Sequence, residues 1–450
     1  MAVSWCRIQL FYIYIFRVFG GSLLTLALLA GEVRAQSPDP AQGAWIEAIR
    51  FVGNDKTKPR ILRQEMVIQE GDPADPLAIE RSRQAIMDLG LFKSVDARLE
   101  PGQQPQGKIL EFAVSEKYYV IPLPQLDRDA DGEISYGGRL TVYNLGGLNQ
   151  RLRMTYEAKS GGVVERTVNS VEMSYTYPRV AGTHYGLGVG LGRSITPIST
   201  RDGNGETVTE HDQIHNSASI GVSRWLSREG PSQGWTAGLS TFWRYRLFEQ
   251  KFGPADPLRA EKAVGITADI GYTRVHDYLY SREGLQYGFI TEHGLTAMGS
   301  DTPYSRNQLY YRHYFPIGEI QQHRNLNLQL RLGSTGGSIP IVDFPYVLGG
   351  SSDLRGYSKD TIGGRSFFLM NVEFLAPLWG HNAARGVVFA DLGNAYDDNR
   401  LLDFGDLESS AGFGLRYRVK SFVDFQIRLD VSYAFGLDRR KVYVGSRNTF

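Results

Sequence analysis

The chain has 450 residues, enough for two or three domains of roughly 100–200 residues each. Lys and Arg number 49 against 48 Asp and Glu, a balance that argues against a nucleic-acid partner requiring a strongly basic face. With 42% hydrophobic and 22% charged residues the chain is not disordered, and a mean hydropathy of -0.28 excludes a bundle of membrane helices but not a membrane barrel, whose strands are only half apolar.

Residues 1–35 read as a secretory signal peptide: Arg7 and Arg17 precede the apolar run 18–30, and Val33-Arg34-Ala35 offers a small-residue cleavage site. That run is short for a membrane-spanning helix, which needs roughly 20 residues. The only cysteine, Cys6, lies inside the expected signal peptide, so the rest of the chain is expected to hold no disulfide, no thiol chemistry and no cysteine metal site. Residues 36–43 form a short polar linker.

A small α+β domain is predicted over 44–117. Trp45, Ile46, Ile49, Phe51 and Val52 form a strand that ends at the turn pair Gly53-Asn54. Thr57 is placed to cap a helix starting near Pro59. A second helix has Asp75 as N-cap, Pro76 at its first position and Gly90 at its end, with Leu77, Ile79, Ile86 and Leu89 on its apolar side. Two strands follow, over 95–99 and 109–114. The order strand–helix–helix–strand–strand, the run 49–54, Gly71, and Leu89-Gly90-Leu91-Phe92-Lys93-Ser94-Val95 resemble a POTRA domain, the periplasmic module of outer-membrane assembly factors.

From 118 to 450 the chain alternates. Gln426, Arg428, Asp430 and Ser432 interleave with Ile427, Leu429, Val431 and Tyr433; Asn325, Asn327, Gln329 and Arg331 interleave with Leu326, Leu328, Leu330 and Leu332. Period-2 patterning puts one set on each face of a strand. Sixteen such segments are expected, an even number that closes an antiparallel transmembrane barrel and removes its edges. Connections alternate between short turns (144–148, 178–182, 420–422) and long loops (195–212, 248–262, 334–364, 395–407), and Trp225, Trp235 and Trp379 fall at the short-turn ends as an interfacial belt would. The fold class is therefore mainly β: a 16-stranded barrel preceded by one βααββ domain.

The loop Val347-Leu348-Gly349-Gly350-Ser351-Ser352-Asp353-Leu354-Arg355-Gly356-Tyr357 and the two strands after it, carrying Asn371-Val372-Glu373-Phe374 and Phe389-Ala390-Asp391-Leu392-Gly393-Asn394, resemble the BamA/TamA family of outer-membrane assembly factors, the bacterial surface antigens. The resemblance covers roughly 44–450. It implies a bacterial outer-membrane insertase or translocase with its POTRA domain in the periplasm. It also implies that Arg355, flanked by Leu354, Gly356 and Tyr357, tucks into the lumen and bonds Glu373 and Asp391. Parity agrees independently, because Glu373 opposes Val372 and Phe374, and Asp391 opposes Ala390 and Leu392, which turns both carboxylates inward. Arginine suits the task, since its fork serves two carboxylates at once.

Pro122 and Pro124, two apart at the start of the first segment, remove two ladder donors from one edge. The family's lateral opening between first and last strands makes this a candidate gate strand. Phe450 ends the chain as the family's C-terminal assembly signal, although Asn448 sits where an apolar residue is more common. Asp127, Asp129, Asp131 and Gly132 mimic the start of a calcium loop, but its twelfth position is Gly138 rather than Glu, and His211 and His215 lack a third ligand. No cofactor, metal or catalytic residue is expected. Expected partners are unfolded outer-membrane or secreted polypeptides bound through the POTRA domain, the lipid bilayer, and periplasmic or lipoprotein accessory proteins. A two-partner-secretion translocator and a passive diffusion channel are the alternatives, and a barrel enzyme shows no visible triad.

Overall fold

A computed structural model describes residues 43–128, 134–161, 164–202, 206–227, 233–254, 258–340, 345–358, 361–398 and 403–446. The expected signal peptide, Asp129–Gly132 of the calcium-like run, and Phe450 lie outside these residues.

The N-terminal domain is β1 (Trp45–Val52), α1 (Pro59–Arg63), α2 (Pro76–Asp88), β2 (Phe92–Pro101) and β3 (Gly107–Glu116). β3 is central, parallel to β1 and antiparallel to β2. Ile46, Leu62, Ile86, Leu91, Phe92, Leu110 and Phe112 pack as its dry core. Asp75 accepts hydrogen bonds from Leu77 N (3.0 Å) and Ala78 N (3.3 Å), with Pro76 behind it, which satisfies two of the orphan donors at the start of α2. Gly90 takes a positive φ just past the helix. Two details differ from expectation. Leu77 is 62% exposed, because it sits on the outer side of the first turn of α2. Thr57 does not cap α1, whose N-cap is Lys58 without a side-chain bond. Its hydroxyl is instead buried, donating to Glu116 Oε1 (2.5 Å), bonded to Tyr119 OH (3.1 Å) and accepting from Asn144 Nδ2 (2.8 Å).

Sixteen antiparallel strands follow: β4 (Val120–Arg128), β5 (Ile134–Leu145), β6 (Gln150–Gly161), β7 (Val164–Tyr177), β8 (Tyr185–Arg201), β9 (Thr207–Trp225), β10 (Gly234–Phe252), β11 (Glu261–Asp277), β12 (Arg282–Gly294), β13 (Tyr304–Pro316), β14 (Asn325–Gly337), then β17 (Ser366–Leu378), β18 (His381–Tyr396), β19 (Glu408–Arg418), β20 (Gln426–Ala434) and β21 (Arg439–Gly445). β15 (Tyr346–Leu348) and β16 (Ile362–Gly364) form a separate two-stranded ribbon inside the connection from β14 to β17. The expected loop 195–212 is mostly strand: β8 and β9 stay paired out to Thr200 and Thr209. The residues there are rich in Ile, Thr and Val, whose branched side chains favour extended chain. β10 likewise runs on to Phe252, past the expected loop start, paired with β9 out to Glu210.

Burial in this sheet is inverted. Arg428, Asp430 and Ser432 are at most 2% exposed, while Ile427 and Leu429 between them are 47% and 39% exposed. On β19 Arg416 is buried and Phe413, Leu415 and Tyr417 are exposed. Polar residues line the interior and apolar ones face outward, the arrangement a bilayer requires. The outer face also carries an aromatic row near the short-turn end, Trp235–Tyr272–Tyr287–Tyr311, in register across β10 to β13. Trp379, in the turn after β17, is the most exposed tryptophan of the set singled out in the sequence.

The two parts are joined tightly. The dry core of the N-terminal domain includes Tyr119 and Val423 from the sheet's inner turns. Asp88, at the end of α2, accepts from Asp277 N (2.9 Å) and Gln233 Nε2 (3.0 Å). Lys117, buried between them, donates to Gly90 O (2.9 Å), and burial lowers its pKa to about 8.

Candidate functional site

The ribbon β15–β16 holds the connecting loop so that residues 349–358 fold back into the sheet's interior. Gly349, Gly350 and Gly356 all take positive φ, a region only glycine enters freely. Gly350 N donates to Tyr357 O (3.2 Å) and closes the turn. At Gly356 a Cβ would stand 2.9 Å from Ala434 Cβ and 3.0 Å from its backbone nitrogen, so glycine is also what lets the loop lie against β20.

The turn delivers Arg355 to full burial. Its Nε and Nη2 donate to the two oxygens of Asp391 (2.7 and 2.6 Å), and Nη1 donates to Glu373 Oε1 (2.5 Å). Its own backbone N–H adds a bond to Asp391 (3.2 Å). The guanidinium carbon lies 3.4 Å from the centre of the Phe389 ring, a cation–π contact at a fully buried guanidinium. Leu354 is fully buried beside it, packed with Tyr346, Leu348, Tyr357, Phe367, Leu369 and Ala434. Tyr357 OH donates to Glu408.

The cluster extends beyond the residues predicted. Arg416 Nη2 donates to Glu373 (3.2 Å) and Nη1 to Asp430; Asp430 also lies 3.7 Å from Arg355 and 3.3 Å from Arg428. Arg428 reaches back to Ser351 O, and Arg331 to Asp353. Asn371 holds Asp391 Oδ1 (2.8 Å) and Asp353 O (2.6 Å). Gly356 N donates to Tyr443 OH (3.0 Å), which donates to Tyr357 O (3.1 Å), and Lys441 Nζ donates to Ser358 Oγ (2.8 Å). The loop is thus tied to β17, β18, β19, β20 and β21. Arg428 and Asp430 were visible in the sequence as inward members of an alternating strand, but nothing there pointed them at the loop. Desolvating so many charges offsets much of their mutual attraction.

Pro122 and Pro124 take no part in this network. Both lie in β4, opposite Leu140 and Gly138 of β5. Tyr143 N donates to Tyr119 O (2.7 Å) at the start of this ladder, so odd-numbered residues exchange bonds with β5 and even-numbered ones face the other edge. The two missing N–H groups therefore fall on the edge away from β5. Among the described residues no ladder joins β4 to β21. The inner end is held instead by Tyr118, whose N–H donates to Ser421 O (2.6 Å) and whose carbonyl accepts from Val423 N (3.2 Å).

Two family models match the chain: the Omp85 superfamily domain over residues 144–441, and a POTRA model, surface antigen variable number repeat, over 45–117. The chain is similar to the outer membrane protein assembly factor BamA of Nitratidesulfovibrio vulgaris, 23% identical over 404 residues, covering 84% of this chain and 47% of that protein. It is also similar to BamA of Neisseria meningitidis, at 22% identity with 84% and 49% covered. The chain thus spans about half the length of these relatives. Among solved structures CdiB from Escherichia coli has the same fold, with a TM-score of 0.61 at 14% identity, covering 90% of this chain and 74% of that one.

Proposed function

The chain belongs to the Omp85 superfamily, as an outer-membrane β-barrel with a periplasmic POTRA domain, and from that membership we propose that it inserts polypeptides into the outer membrane or moves them across it. The observation that carries this reading is the seam. A sixteen-stranded sheet removes its edges only if its ends pair, and β4 presents an edge lacking the donors of Pro122 and Pro124. A substrate strand can add to such an edge through the N–H and C=O groups left free. Arg355, Glu373 and Asp391 serve this function as an anchor: they hold the loop, and through Tyr443 the last strand, in one place while the seam works. The POTRA sheet has its own outer strands, β1 and β2, and β-strand addition there would receive the chain before it reaches the seam. No nucleotide is required, since substrate folding supplies the driving force.

Depletion followed by quantitative outer-membrane proteomics tests this reading. Broad loss of many barrels is expected. Loss of one or two proteins, or none with altered lipid content, would make the protein a dedicated transporter. Cysteine pairs placed on β4 and β21 test the seam: crosslinking is expected to abolish activity and reduction to restore it, and efficient crosslinking with full activity would remove the gate from the mechanism.

A further inference from the structure

Next to the Arg355 cluster, sharing Glu373 and Arg416 with it, lies a cavity of about 60 Å³ bounded by the periplasmic turn 278–281, with room for about four waters. Four arginines line it, Arg282, Arg385, Arg416 and Arg418, against two carboxylates, Asp277 and Glu373. Three of the arginines are matched. Arg416 is held by Glu373 and Asp430. Arg282 lies 3.7 Å from both Asp277 and Asp424, and Arg418 3.9 and 3.6 Å from the same pair. Arg385 is different. It is 7% exposed and has no carboxylate within ion-pair distance among the described residues. Its Nη1 donates to Tyr280 O and its Nη2 to Asn325 Oδ1 (3.2 Å), both neutral acceptors. Its Nε is buried with no partner. A second lining atom, Asn327 Oδ1, is also buried without one.

Leaving a buried donor unsatisfied costs about 1–3 kcal/mol, and an uncompensated buried cation costs more. Water could complete the hydrogen bonds but not the charge. We propose that this cavity binds one small oxyanion, of phosphate or acetate size, with Arg385 as its principal donor. Guanidinium nitrogens suit the paired oxygens of such an ion, and the Asn327 amide, turned by half a rotation, presents its NH₂ to the same point. Glu373 and Asp277 do not oppose it, because each is already engaged by two arginines. The cavity is too small for a lipid headgroup with its glycerol, which makes a free periplasmic ion the ligand. Since Leu279 of the same turn packs on the POTRA core, the bound ion would fasten that turn to the sheet's interior.

Equilibrium dialysis of the full chain in detergent against radiolabelled inorganic phosphate, at ionic strength fixed with sodium chloride, tests the site. One phosphate per chain is expected, displaced by sulfate or acetate, with affinity at least tenfold weaker in Arg385→Gln. Asn327→Leu, expected to weaken uptake several-fold, keeps the test decisive if Arg385→Gln does not fold. No saturable uptake by the unmodified protein, or unchanged uptake in a folded variant, would each overturn the assignment.

Discussion

Two sheets in this molecule obey one rule with opposite outcomes. In the POTRA sheet, Leu110, Phe112 and Val114 of β3 turn inward to a dry core. In the barrel, residues of the same parity on β20 are Arg428, Asp430 and Ser432, buried as deeply, while the apolar set faces out. The backbone alternation is the same; what differs is which solvent meets the outer face. The contrast teaches that burial and hydrophobicity are separate properties. The barrel's interior is a polar structure whose order comes from matched charges, and its apolar surface is satisfied by lipid.

The sharpest way to break that contrast is to truncate one charged member of the interior. Arg355→Ala leaves Asp391 buried without a cation and Glu373 with Arg416 alone, and is expected to destabilise the barrel by about 3–5 kcal/mol, read as lost heat-modifiable migration and low abundance. Replacing all three together, as Arg355→Met with Glu373→Gln and Asp391→Asn, is expected to recover most of that stability; if it does not, the cluster contributes more than position. A charge on the outside comes next. Phe413→Lys, on the lipid face of β19, is expected to cost about 2–4 kcal/mol near the bilayer midplane, measured by reversible unfolding in lipid vesicles. Leu77→Lys, equally exposed but on the POTRA surface, should change stability by no more than about 0.5 kcal/mol. Equal effects would mean that the two outer faces meet the same solvent.

The junction gives a pH dependence. Lys117 has its pKa lowered to about 8 by burial, so between pH 8 and about 10.4 the unfolded chain binds more protons than the folded one. Stability therefore rises with pH across that window, by up to about 3 kcal/mol, and Lys117→Met should flatten the rise in hydrogen-exchange protection around the β3–β4 junction. A smaller loss than these is expected from Asp75→Ala, which removes the α2 cap and costs about 1 kcal/mol, seen in thermal unfolding of the POTRA signal alone.

Much of this was legible because it is periodic. The sixteen strands and the inward parity of Glu373 and Asp391 follow from alternation over a few residues, and the α2 cap from Asp75-Pro76. What escaped was set by partners far along the chain. Thr57 has the sequence context of a helix cap, yet Glu116, Tyr119 and Asn144 take its hydroxyl. Arg416 and Tyr443 look like ordinary strand residues until the curvature of the sheet brings them to the loop. The length of β8 and β9 is not legible because turn-forming residues near 202–206 interrupt the branched residues on either side.

The position of Arg355 in the chain also dictates an order of assembly. Its partners Glu373 and Asp391 follow it by 18 and 36 residues, and Tyr443 follows Gly356 by 87; Asp430 lies between. None is available until the final strands exist, so the loop can be seated only as the C-terminal strands gather around it. Those strands can reach one another through short chain separations, which favours rapid closure. The last part of the molecule made would then be the first to become ordered, and the N-terminal strands, β4 among them, would join a template already set.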